Sequence, residues 1–185
     1  RYRRSVLGLG WSLLQPLAMT AVLCLVFSQI LQNAQVSDYV PHLLTGLVCW
    51  NFMIGCALQG CQSFFLGEPY IRQCPLPLAV YPLRTTIGAF FHFTMAIMVL
   101  TVIVGIMRGA AAPAAYFSLF PSMLVLFVFG WSLAVLAGTS NVFFQDTQHL
   151  AEVGFQILFY LTPIIYRMSD VASHPSAWLL NFNPL

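Results

Sequence analysis

From Trp11 to Leu31 the chain runs about 21 residues without a charged side chain, enough for a helix to cross a hydrocarbon core of about 30 Å. The pattern returns from Leu43 to Leu66, from Thr85 to Met107 and from Ala114 to Gly138. Backbone polar groups in lipid must be satisfied within the segment, so uninterrupted apolar runs of this length point to helices. A fifth run is shorter. Val153 to Tyr166 gives about 14 residues, or about 18 if it begins near His149 with Glu152 at the headgroups, and Pro163 breaks it near its far end. Either a re-entrant segment or a short span fits that length.

The 185 residues are 59% hydrophobic and 6% charged, with a mean hydropathy of +0.84. Soluble domains carry about 25% charged residues, so the chain falls among integral membrane proteins. The expected fold is all-α, a polytopic membrane helix bundle with five visible spans. All of its cations are arginines, since no lysine occurs. A Walker A loop uses a lysine on the β/γ-phosphates, so the chain does not bind ATP through one. Four of the five cysteines (Cys24, Cys49, Cys56, Cys61) lie in apolar runs, where packing is the expected role; Cys74 falls in a polar stretch. No H-E-x-x-H, C-x-x-C or G-x-S-x-G pattern is present.

The polar interruptions order the runs across the membrane. Arg1, Arg3 and Arg4 form a basic cluster that predicts a cytoplasmic start and contact with anionic lipid. Residues Gln32 to His42 read as an outer connection. Gly67 to Arg84, GEPYIRQCPLPLAVYPLR, carries an acid, two arginines and four prolines and reads as a cytoplasmic connection. Arg108 to Pro113 reads as a tight outer turn, Thr139 to Glu152 as cytoplasmic, and Arg167 to Leu185 as outer. Arg1, Arg3, Arg4, Arg72 and Arg84 then lie on the cytoplasmic side and Arg108 and Arg167 on the other, the sign the positive-inside rule requires.

Within the runs, Gly55, Cys56, Gly60 and Cys61 place small residues one turn apart, which permits close helix approach. Asn51, Gln59 and Gln62 suit interhelical hydrogen bonds, with a ligand site as the competing role. His92 stands alone in its run without an acidic neighbour, which favours packing over a proton relay.

Several stretches together resemble the ABC-2-type permeases, and within them the branch that exports O-antigen, capsule and teichoic acid. They are Arg1-Tyr-Arg-Arg-Ser-Val-Leu-Gly with Trp11 and Gln15-Pro16-Leu17, then Tyr39 through Gly46-Leu47 to Trp50. Ile71 and Pro75 before Pro82-Leu83 follow, and last Phe159-Tyr-Leu-Thr-Pro-Ile-Ile-Tyr166 with Asn183-Pro184-Leu185. The resemblance covers nearly the whole chain and implies one transmembrane domain over residues 1–185 with six spans. Five are visible here and no amphipathic helix precedes Arg1, so both ends are expected to be truncated. Family members usually carry a lysine before the third helix, where this chain has Arg72 and Gln73.

The resemblance further implies a homodimer in the bacterial inner membrane, paired with two ATP-binding cassette subunits that hold ATP and Mg. No cofactor belongs to this chain, and nucleic acid is not a partner. Glu68, Pro69, Tyr70, Ile71 and Arg72 are the expected contact with the ATP-binding subunit, because a proline-bounded element transmits displacement better than a flexible linker. The competing reading of the same stretch is a plain topology-setting connection.

A lipid-linked polysaccharide would pass between the two copies, and aromatic side chains suit the apolar C–H faces of sugars. Among sixteen Phe, seven Tyr and four Trp, the polar-edged Tyr39, Trp50, Tyr160 and Tyr166 are the expected path residues, with Thr162-Pro163 as a gate. The competing functions are ABC-2 export of a small lipophilic drug or lipid, a secondary transporter, and a membrane enzyme. The last two would need acids within the spans or a clustered His/Asp/Glu set.

Overall fold

The computed structural model describes residues 36–73, 76–108 and 113–162, the side chains of 36–40, 106–108 and 113–116 excepted, together with Leu14, Ala18 and Val22. Four helices cover nearly all of it: α1 (Val36–Ile71), α2 (Val80–Arg108), α3 (Pro113–Phe143) and α4 (Thr147–Leu161). Helix α1 is the central element, with α2, α3 and α4 packed around it. Three helical stretches are long and apolar enough to cross a membrane: Pro41–Ile71, Val80–Gly105 and Phe117–Phe143. Of the first run, Trp11–Leu31, only Leu14, Ala18 and Val22 are described, so three of the five expected spans are seen as such.

The helices extend beyond the apolar runs that define them. Helix α1 begins at Val36, which corrects the expected outer connection over Gln32–His42: its second half is already helical. Pro41 lacks the N–H its own turn would use, yet the Pro41 carbonyl accepts a bond from Thr45 Oγ1 at 2.6 Å. At the other end α1 runs on through Gly67–Ile71, so the proline-rich stretch begins as helix and not as loop. Pro69 removes a single backbone bond, and an Arg72–Glu68 pair at 2.6 Å, spaced i,i+4, supports the turn that contains it. The true connection is short, Arg72 to Ala79, because Val80–Arg84 form the first turn of α2. Pro82 sits there, where its missing donor costs little, and its carbonyl accepts from Thr85 and Thr86 at 2.8 and 2.9 Å.

Helix α3 likewise continues to Phe143, five residues past the apolar run, so Thr139–Phe143 is helical and not part of a polar loop. Two polar side chains there reach carbonyls: Thr139 Oγ1 donates to Val135 O at 2.8 Å, and buried Asn141 Nδ2 donates to Cys61 O of α1 at 2.9 Å. Helix α4 is the fifth run, shifted to Thr147–Leu161. Its 15 residues span about 22 Å, short of a hydrocarbon core of about 30 Å. Thr162 stops it in extended backbone (φ −83°, ψ 133°), the conformation forced on a residue that precedes proline.

The core lies where α1 meets α2 and α3. Phe52 is its hub, 4.9 Å from the Phe93 ring and 6.0 Å from Phe90, which in turn meets Phe127 of α3 at 5.0 Å. Helix α3 approaches α1 along Gly130, Ala134 and Gly138, one turn apart. A Cβ on Gly60 would lie 2.6 Å from both the Cα and the carbonyl oxygen of Ala134. The expected small-residue seam is therefore real, and Cys56 and Cys61 are buried within it. Gly55 is not part of it; its Cβ would meet Gln59 alone, at 3.6 Å. The outward faces of α2 (Ile87, Phe91, Met98, Val102) and α3 (Phe120, Leu124, Val125, Val128) are exposed and apolar, as lipid requires.

Candidate functional site

The amphipathic helix of the bundle is α4. Gln148, Glu152, Gln156 and Tyr160 recur every four residues and therefore share one face. Phe155, Leu158 and Phe159 occupy another and pack on Leu43, Leu47 and Trp50 of α1. Trp50 is 3% exposed, with the rings of Phe155 and Phe159 both at 5.8 Å. Gln62 Nε2 donates to Gln148 Oε1 at 3.2 Å further along the same seam. These contacts make α4 antiparallel to α1.

Between the two helices lies a cleft of about 530 Å³, lined by Leu47, Trp50, Asn51 and Ile54 of α1 and by Glu152, Gln156, Phe159 and Tyr160 of α4, with Ala18 and Val22. Trp50 closes its wall from within the core, whereas Tyr160, 63% exposed, stands at its edge. The side chain of Glu152 is 45% exposed and its Oε1 accepts from Gln148 Nε2 at 3.3 Å. The amides thus form a directed chain, Gln62 to Gln148 to Glu152, which ends on a carboxylate that can only accept. His149 Nδ1 lies 3.6 Å from Glu152 Oε2 but is not part of the cleft lining.

A charged side chain facing hydrocarbon costs about 2.5–3.5 kcal/mol or more, so this lane requires water, a polar substrate or another protein surface against it. An aromatic wall beside amides and a carboxylate suits a polyol: rings take the C–H faces, and polar side chains take the hydroxyls.

The structure brings together two of the expected path residues, Trp50 and Tyr160, and places Thr162 at the end of α4, with its hydroxyl donating to Leu158 O at 2.8 Å. Tyr39 is on the first turns of α1, its side chain outside the described residues; Pro163, Tyr166 and the basic cluster Arg1, Arg3 and Arg4 are also outside them. Sequence reasoning missed Gln148, Glu152 and Gln156, which it assigned to a polar connection or passed over. The four-residue recurrence through Tyr160 was the available signal. Of the α1 amides, Gln62 does join helices, as expected, while Asn51 faces the cleft. His92 is half-buried, its ring edge-on to Phe91 at 5.8 Å, in keeping with packing.

A second region is the end of α1. The Gln62–Gln148 contact sets the start of α4 about 13 Å short of Ile71 along the axis, so the last turns of α1 and the first of α2 project past the α3–α4 turn. Glu68, Pro69, Tyr70 and Arg72 are exposed on this projection, with Ile71 half-buried. Its root is tight: a Cβ on Gly67 would run into the ring of Tyr81, which also lies 6.5 Å from Phe64. Trp131 Nε1 of α3 donates to Ala79 O at 3.4 Å, tying the far side of the connection to the bundle.

Among known proteins, the chain is similar to two permeases named O-antigen export system permease protein RfbA from Klebsiella pneumoniae. They are 29% and 28% identical to it, over all of this chain and 71% of each relative. One of the same name from Myxococcus xanthus is 24% identical over the same shares. The family model described as ABC-2 type transporter matches residues 1–185 without remainder. With its lipid-facing helices and their polar seam, the chain is an integral membrane protein that belongs to the ABC-2 type transporter family.

Proposed function

We propose that this chain is the membrane-spanning permease of an ABC exporter that moves a lipid-linked polysaccharide across the bacterial inner membrane. The observation that carries this reading is the α1–α4 cleft, where Trp50 and Tyr160 stand beside Asn51, Glu152 and Gln156 in an otherwise apolar helix bundle. The names of the relatives, all O-antigen export permeases, support the same substrate class.

In this account two copies face each other so that their clefts enclose a polar path, which supplies the cover that Glu152 needs in a membrane. Sugar rings slide over the aromatic walls without a strong ionic trap. Thr162, Pro163 and Tyr166 form the outer gate with Tyr39 beside it, and Arg1, Arg3 and Arg4 hold the chain to anionic lipid at the cytoplasmic face. ATP and Mg belong to two partner subunits. Their closure pushes on Glu68, Pro69, Tyr70, Ile71 and Arg72, and because this element is helix continuous with α1, displacement passes directly to the wall that carries Trp50. The membrane chain itself performs no chemistry.

The test is reconstitution of the chain with its ATP-binding subunit in proteoliposomes. ATP-dependent transfer of a lipid-linked polysaccharide to the far leaflet is the expected result. Transfer of small lipophilic compounds without polysaccharide transfer would assign the chain to drug or lipid export instead.

A further inference from the structure

We infer that Glu152 makes the cleft selective for glycans that carry no acidic groups, so that neutral sugar polymers pass and uronate- or phosphate-bearing ones are disfavoured. The inference rests on the polysaccharide reading above and adds the charge class of the glycan.

Among the described residues that line the cleft, Glu152 is the charged one. Its carboxylate is held in place, because Gln148 Nε2 donates to it at 3.3 Å while Gln148 Oε1 is occupied by Gln62 Nε2 at 3.2 Å. A carboxylate oriented in this way accepts hydrogen bonds from sugar hydroxyls, and the amides of Asn51 and Gln156 both donate and accept. An acidic sugar brings oxygens that cannot donate, and it meets a fixed like charge in surroundings less polar than water.

No arginine lines the described part of the cleft, and His149, whose Nδ1 lies 3.6 Å from Glu152 Oε2, stands outside the lining. Arg72 follows the end of α1, ten residues beyond Gln62 and about 15 Å down the axis, outside a physiological screening length of about 8 Å. The chain contains no lysine at all. In a pair of copies the carboxylate is present twice along one path, so the two penalties add and their effects on the rate ratio multiply.

The experiment uses the complex of this chain with its ATP-binding subunit in proteoliposomes, and two lipid-linked oligosaccharides that differ in one sugar, a neutral hexose or the corresponding uronic acid. The lipid carrier and its phosphates are the same in both, so their contribution cancels. The native complex is expected to transport the neutral compound about tenfold faster than the acidic one. Glu152→Gln is expected to bring that ratio close to one and Glu152→Lys to invert it. The ratio is the readout because a general loss of folding or assembly lowers both rates together. Equal rates for the two compounds in the native complex, or a ratio unmoved by both substitutions, would overturn the inference and leave polysaccharide export standing. Transport of neither compound would remove the polysaccharide reading itself, and the inference with it.

Discussion

Replacing Gly60 by alanine tests how the bundle is held together. The added methyl carbon would stand 2.6 Å from both Cα and O of Ala134 and 3.0 Å from its carbonyl carbon. Ordinary carbon contacts lie at about 3.5–4.0 Å, so about 1 Å of separation must be found. The opposing atoms are backbone, so no rotamer change provides it; α3 must move away from α1. That motion is shared by the rest of the seam, where a Cβ on Gly138 would already lie 2.8 Å from Gly60 O and one on Gly130 2.8 Å from Phe52 Cε1. A radial gap of 0.5–1 Å forfeits roughly a quarter to a half of each pairwise attraction, and overpacking of this kind costs about 1–3 kcal/mol. Helix propensity runs the other way, favouring alanine by up to about 1 kcal/mol.

The same substitution at Gly88 and Gly154 is the control, since a Cβ at either meets nothing within 4 Å. Reversible unfolding in mixed micelles, titrated with SDS and followed by circular dichroism, should show Gly60→Ala destabilised by about 1–3 kcal/mol and the two controls unchanged or slightly stabilised. A Gly60→Ala protein as stable as Gly88→Ala would refute the close-packed seam.

Three further outcomes are expected. Asn141→Ala removes the buried α3-to-α1 hydrogen bond to Cys61 O, and the same unfolding titration should register a loss of about 0.6–1.7 kcal/mol. Arg72→Ala breaks an exposed pair worth about 0.3–0.5 kcal/mol and should leave folding intact, while ATP hydrolysis by the assembled complex loses its stimulation by substrate; unchanged stimulation in both Arg72→Ala and Glu68→Ala would discount this element as the coupling contact. Trp50→Ala and Phe127→Ala both remove a ring from the packing, but only Trp50 faces the cleft, so at matched membrane levels export should fall further in Trp50→Ala; equal losses would mean that packing alone explains both.

The lipid-crossing character of the bundle was legible in the sequence because it rests on run length and charge, which hydrocarbon enforces residue by residue. The seam was legible too, since Gly60 and Cys61 announce close approach without reference to a partner. Helix ends were not. Charge and proline made Gly67–Ile71 read as loop, yet one proline removes one bond, and the Glu68–Arg72 pair supports the turn. Thr139–Phe143 read as loop for a similar reason, because the partner that buries Asn141, the carbonyl of Cys61, lies 80 residues away in sequence. The site was half legible. Trp50 and Tyr160 stand out as aromatics with polar edges, whereas Glu152 acquires its meaning only once α4 is seen to start at Thr147 and to set Glu152, Gln156 and Tyr160 along the cleft beside α1.

The central claim is that glycan passes along the α1–α4 cleft, and cross-linking in the working complex tests it most directly. A photoreactive residue at Tyr160, and separately at Met98 on the outward face of α2, would be activated while the proteoliposomes export a lipid-linked polysaccharide. The account predicts ATP-dependent glycan adducts at position 160 and lipid adducts alone at position 98. Glycan adducts at position 98 with none at 160 would contradict it.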